Sequence, residues 1–140
     1  MFNVDIGKYK DSLVSNTEKY LEFLDSYSYK CTFFVVGEVA KRYPDLIHNI
    51  VSCDHEIACH TMKHIPLDKL NEKRFKEDLD QNIHYLINAG ASQITGFRAP
   101  IYSLTQKTKW VYDILNEFGF NYSSSVLPAY NPLYGWPGFG

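Results

Sequence analysis

The sequence lacks the features that mark membrane and nucleic-acid-binding proteins. No apolar stretch approaches the roughly 20 residues of a membrane span, and we expect no signal peptide ahead of the first strand-like segment. With 14 basic and 16 acidic residues, the formal net charge is only -2, which argues against a surface for phosphate backbones. We therefore expect no membrane span and no nucleic-acid partner. The location is expected to be cytoplasmic or is left unassigned.

Cysteine is also scarce, and nothing divides the chain into parts. The three cysteines are an odd number without a framework of spacings, and Cys31 and Cys59 lie in apolar, strand-like runs. We expect buried free thiols and a reducing compartment. Without a repeat, low-complexity tract or Pro/Gly-rich linker, residues 1–140 are predicted to form a single domain. That length is short for an α/β barrel, which typically needs about 200 residues or more.

Strand-like and helix-like patterns alternate along the chain. Apolar residues recur at helical spacing within residues 13–24, 45–51, 75–86 and 105–118. Short apolar or β-branched runs occupy residues 2–6, 31–36, 56–59, 94–97 and 120–123. Regular alternation of this kind predicts an α/β fold with about five parallel strands and helical crossovers.

Four chemically distinctive residues lie at or just after the predicted strand ends. They are Asp5, Gly37, His60 and Arg98. Because ligand sites of α/β proteins lie at the carboxyl ends of parallel strands, these residues are expected to meet at one site.

His60 and His64 form the most informative pair in the chain. Neutral imidazoles four residues apart can bind one divalent ion from a tight loop after a strand. The spacing alone is common, and ordinary loop histidines remain the alternative. The setting favours metal binding, because the pair follows a short apolar strand and opens a polar loop. His55 is interpreted as structural, and His48 and His84 as surface or boundary residues of helices.

Three sequence blocks, in order, resemble the polysaccharide deacetylase family, also known as the NodB-homology domain or carbohydrate esterase family 4. They are TFFVVG at residues 32–37, HEIACHTMKH at residues 55–64 and GFRAP at residues 96–100. The third block resembles a subgroup with an FRAP-type arginine motif, as do YSSS at residues 122–125 and YG at residues 134–135.

This resemblance implies a partial or distorted (β/α) barrel of the NodB type. It also implies metal-dependent removal of acetyl groups from N-acetylated sugars of a polysaccharide or peptidoglycan, with that carbohydrate as the partner. His60 and His64 would bind the metal together with Asp5. Zn²⁺ is the preferred ion, with Co, Ni, Mn or Fe as alternatives. Arg98 would orient a catalytic carboxylate.

The first motif of the family is incomplete here. It usually carries two carboxylates, one as general base and one as metal ligand, whereas the segment FNVDIG at residues 2–7 offers only Asp5. In the preferred alignment Asp5 is the ligand, and Asn3 replaces the base. In the other alignment Asp5 is the base, and Ile6 replaces the ligand. Since Asn cannot accept a proton at neutral pH, both alignments predict impaired catalysis.

The later part of the family domain is also expected to be missing from this chain. No histidine follows His84, so we expect the chain to lack the histidine that the family uses as general acid. The chain is expected to lack the C-terminal part of the domain, and its open barrel edges predict a homo-oligomer or a completing segment. Two alternative functions stay open: a catalytically impaired remnant that binds metal or glycan, and a metal-independent amide hydrolase of the allantoinase-like branch.

Overall fold

The computed structural model describes the backbone of residues 6–140 and the side chains of residues 12–140. Its helices are α1 (Ile6–Ser26), α2 (Gly37–Arg42), α3 (Pro44–Ser52), α4 (Glu72–Asn88) and α5 (Val111–Glu117). Its strands are β1 (Thr32–Val35), β2 (Glu56–Cys59), β3 (Gly96–Phe97) and β4 (Tyr122–Ser123). Short 3₁₀ turns lie at Leu67–Lys69, Pro100–Tyr102 and Gln106–Thr108.

The strands form one parallel sheet in the order β1-β2-β3-β4. The predicted α/β class is therefore confirmed, with four strands in the described part of the chain rather than about five. Residues 2–5 of the first predicted strand lie outside the described residues. Its last residue, Ile6, begins α1, so the strand assignment was wrong at that position.

One face of the sheet packs against the helices and forms the core. Side chains alternate between the faces of a strand, so Val35, Ile57, Cys59 and Phe97 all enter this core. The apolar stripe of α4 packs onto them, and Phe75 meets the rings of Phe97 and Trp110 edge-on at centroid distances of 5.8 Å. Edge-on contacts of this kind add to the stabilisation from burial alone.

The opposite face of the sheet carries polar side chains at both ends of the strands. At the amino ends, the Glu56 carboxylate accepts hydrogen bonds from the Thr32 hydroxyl and from the Tyr122 hydroxyl. The Tyr122 ring fills the space over Gly96, where an added Cβ would lie 2.3 Å from ring atoms. Arg98 lies near the carboxyl ends of the strands, where the site is predicted.

The predicted bounds of the short strands and helices differ from those in the structure. In the predicted strand 94–97, only Gly96 and Phe97 pair as strand residues. Helix α2 was not predicted, because six residues are too few for a helical pattern to be recognised. The helix expected after Thr105 starts as a 3₁₀ turn, and its regular part spans only Val111–Glu117.

The cysteines bear out part of the sequence expectation. All three are free thiols, and Cys59 is fully buried, which strongly raises the pKa of its thiol. Cys31, which lies just ahead of β1, is only half-buried. Among residues 6–140, no helix combines the length and apolarity that crossing a membrane requires.

The Asn71 side chain caps the N-terminus of α4, and a substitution can measure its contribution to stability. The Asn71 side chain accepts a hydrogen bond of 2.9 Å from the Arg74 backbone N–H. Replacing Asn71 with alanine leaves this donor without its partner and should lower the free energy of unfolding by about 1 kcal/mol. Urea denaturation measures the change. Gln81→Ala, at an exposed position of the same helix, is the control and should change stability by less than half as much.

Candidate active site

His60 lies directly after β2, and its ring is oriented by the backbone of the neighbouring strand connection. Its Nδ1 lies 2.7 Å from the carbonyl oxygen of Arg98. Because a carbonyl oxygen can only accept, Nδ1 carries the proton, and Nε2 keeps its lone pair. Burial lowers the pKa of His60, which favours the neutral ring at neutral pH. This hydrogen bond is the arrangement that orients metal-binding histidines in other proteins.

His64 approaches His60 from the far end of the same loop. The two ring centroids are 4.8 Å apart, and the rings are inclined at 73°. The His64 backbone has a φ of 56°, and its N–H donates to the Thr61 hydroxyl over 3.0 Å. The loop thus brings the two imidazoles together at the carboxyl end of β2, as the sequence predicted.

Arg98 follows β3, and three contacts fix its side chain. Its Nε donates to the Ser124 carbonyl over 3.1 Å, and its Nη2 donates to the Ser124 hydroxyl over 2.7 Å. The guanidinium also stacks on Phe34, with 4.0 Å between Cζ and the ring centroid. One residue thus offers a fixed cation beside the histidine pair, while its carbonyl orients His60.

The turn after Arg98 is strained. Ile101 and Tyr102 have φ values of 46° and 58°, a region that L-residues with branched or bulky side chains rarely adopt. Such strain persists only where the surroundings enforce it, and it is concentrated at functional sites. The Ser103 hydroxyl accepts from the Leu67 N–H and donates to the Pro100 carbonyl, tying this turn to the segment after the histidine loop.

The third predicted ligand, Asp5, lies outside the described residues, so its place at the site stays a prediction. Within the side chains of residues 12–140, no group of three His, Cys, Asp or Glu residues is arranged to hold a metal. His48 and His84 are exposed on their helices, and His55 is buried against Phe33. The structure therefore brings together the two predicted histidines and Arg98. The free Nε2 of His60 suits a divalent ion.

Two residues that support the loop were missed in the sequence. Asp78 and Asn82 are buried on α4, and burial raises the pKa of the Asp78 carboxyl against the opposing effect of backbone donors. A signal was present, because both share the helical spacing of the apolar residues Phe75 and Leu79. Polar residues at such positions are seldom buried unless they have a partner.

Comparison with known proteins agrees with this geometry. Residues 1–123 match the polysaccharide deacetylase family, so the chain belongs to that family. A peptidoglycan-N-acetylglucosamine deacetylase from Bacillus cereus is 31% identical over 96 residues, which cover 67% of this chain and 34% of that protein.

Solved structures confirm the partial barrel fold. A Mycobacterium smegmatis protein assigned to the polysaccharide deacetylases is 32% identical, with a TM-score of 0.73 over 81% of this chain and 38% of that one. A pseudoenzyme of carbohydrate esterase family 4 from Bacillus anthracis is 21% identical, with a TM-score of 0.70 over 76% of this chain and 37% of that one. The chain thus spans between about a third and two fifths of the relatives' lengths.

Proposed function

We propose that this chain carries the metal-binding part of a site that removes acetyl groups from N-acetylated sugars of a polysaccharide or peptidoglycan. The observation that carries the proposal is the convergence of His60 and His64, with the Nδ1 of His60 bonded to the Arg98 carbonyl. Family membership and the Bacillus cereus relative, a peptidoglycan-N-acetylglucosamine deacetylase, support the reaction and the class of substrate.

The ion would be held by His60, His64 and, by the preferred alignment, Asp5. Two imidazoles and a carboxylate leave coordination positions open for water and a substrate oxygen, as catalytic zinc sites do. A divalent ion there, Zn²⁺ first and Co, Ni, Mn or Fe as alternatives, supplies a Lewis acid that acidifies water and polarises the acetamide oxygen.

The protein's own contribution is orientation. Arg98 is fixed by Ser124 and Phe34 before any substrate arrives, so its remaining donors can hold a carboxylate in one direction. In the family that carboxylate is the general base, which takes a proton from the attacking water. If Asp5 is the base instead of the ligand, Arg98 is the residue that would orient it.

Acetate release from N-acetylglucosamine oligomers with added Zn²⁺ or Co²⁺ tests the proposal. We expect slow turnover by the wild-type chain, because its first motif offers only one carboxylate, and none by His60→Ala, because that variant lacks a metal ligand. Equal acetate release by both proteins would contradict a metal-dependent deacetylase site at His60.

A second candidate is a catalytically impaired remnant that binds metal or glycan. It is favoured by the single carboxylate of the segment FNVDIG. Zn²⁺ binding without acetate release would support this candidate. Amide hydrolysis without any bound metal would instead support the allantoinase-like alternative.

A further inference from the structure

We propose that Asp78 and Asn82 of α4 are positioning residues for the histidine pair, because they clamp the loop that joins His60 to His64. The inference rests on the proposed metal site. It states that part of the metal affinity of this site depends on α4, a helix that supplies no metal ligand. Neither residue belongs to the three sequence blocks that resemble the family.

Asp78 holds the middle of the loop by its backbone. The residue is only 9% exposed, and its Oδ1 accepts a hydrogen bond of 2.7 Å from the Met62 N–H. The middle of the loop between the histidines is thus bound by its backbone to one buried side chain.

Asn82 ties the start of the loop to β1. It is fully buried, and its Nδ2 donates to the Thr61 carbonyl over 2.6 Å and to the Val35 carbonyl over 3.1 Å. Gly37 completes the junction by donating its N–H to the Thr61 carbonyl over 2.9 Å. A Cβ at Gly37 would lie 2.4 Å from the Met62 sulfur and 3.1 Å from Asn82 Nδ2, so a larger residue there would displace the side chains that pack against the loop.

The loop needs this clamp because its conformation is unfavourable by itself. Thr61 and His64 have φ values of 64° and 56°, and a positive φ is a genuine outlier for a β-branched residue such as Thr61. Strained backbone of this kind persists only when surrounding contacts over-determine it. The same conformation places the His60 and His64 rings 4.8 Å apart. Releasing the loop should therefore separate the rings and weaken metal binding.

The placement of the two polar residues on α4 supports the same conclusion. Asp78 and Asn82 lie on the buried stripe of the helix together with Phe75 and Leu79. Burying a carboxylate and an amide is unfavourable unless each is hydrogen-bonded. The hydrogen bonds of both residues run to the loop between the histidines or to the strand end beside it.

Zn²⁺ affinity, measured by competition with a chromophoric chelator, tests the proposal. Asp78→Asn keeps the side-chain size but removes the charge and sets an amide N–H₂ against a backbone donor. We expect about 10- to 100-fold weaker Zn²⁺ binding, the range seen when residues behind metal ligands are replaced. Asp80→Asn removes the same charge from an exposed position of α4 and should bind Zn²⁺ within about twofold of wild type.

A double-mutant cycle separates positioning from a general loss of stability. If Asp78 acts through the histidine pair, Asp78→Asn should change the residual Zn²⁺ affinity of His64→Ala by less than about threefold. An equal loss of affinity in both backgrounds, or no loss in the wild-type background, would overturn the proposal.

Amide hydrogen exchange of the metal-free protein distinguishes failure of the clamp from failure of the proposed function. The Met62 amide should exchange faster in Asp78→Asn, while the amides of β2 keep their protection. A wild-type chain that binds no Zn²⁺ would refute the metal site. Unchanged exchange at Met62 would refute the clamp, whatever the metal result.

Discussion

Zn²⁺ is expected to bind His60→Ala at least about 100-fold more weakly than it binds the wild-type chain. Structural zinc sites bind with about 10–16 kcal/mol from four ligands, so one imidazole accounts for roughly 3 kcal/mol, or about 100-fold in affinity. The loss should be large because the His60 ring is already oriented by the Arg98 carbonyl and needs no rearrangement.

Competition titration with a zinc chelator measures this change, and His84→Ala provides the matched control. His84 is also a histidine but is exposed on α4 and hydrogen-bonded to Asn88, so its removal should leave Zn²⁺ affinity within about twofold of wild type. Wild-type affinity in His60→Ala, or an equal loss in both variants, would show that Zn²⁺ binds elsewhere.

The histidine site could be predicted because its parts lie close together in the sequence. His60 and His64 share one loop, and the apolar run of β2 ahead of them marks the strand end at which they lie. The short apolar and β-branched runs also predicted β1 and β2, and in the sheet these strands pair through four residue pairs in one register. The residue pattern and the folded geometry agree in this segment, so the sequence alone was enough to predict that the two histidines lie together.

The supporting contacts could not be read in this way, because they join residues distant in sequence. The carbonyl that fixes His60 belongs to Arg98, 38 positions later, and the ring under Arg98 belongs to Phe34. The residue pattern around His60, Arg98 or Phe34 does not indicate which distant residue each of them will contact. The tautomer of His60 and the rigidity of Arg98 therefore emerge only from the folded chain.

Short elements were misjudged for a different reason. In β3 only Gly96 and Phe97 pair, although Ile94 and Thr95 have the residue types of a strand. The Thr95 carbonyl instead accepts from the Asn121 N–H over 2.8 Å at the entrance to β4. Helix α2 has only six residues, fewer than two full turns, so periodicity has little to reveal.

Arg98→Lys is expected to lower kcat by about 100-fold, with a much smaller change in KM. Lysine keeps the positive charge but cannot reproduce the planar group that donates to both Ser124 oxygens while stacking on Phe34. In the alignment that makes Asp5 the general base, a cation that moves no longer holds this carboxylate in one direction, and small misplacements of catalytic groups cost rates of this order. Because the lost interaction acts on catalysis more than on substrate binding, the effect should appear in kcat.

Steady-state acetate release at saturating Zn²⁺ measures both constants, and Arg42→Lys is the control. Arg42 is exposed in the last turn of α2, so the same exchange there should leave kcat within about twofold of wild type. Circular dichroism and Zn²⁺ titration of Arg98→Lys separate loss of orientation from loss of fold or of metal, because the carbonyl that binds His60 is retained. A variant with wild-type kcat would show that Arg98 supports the site only through its backbone. An equal rise in KM and fall in kcat would assign the side chain to substrate binding as well.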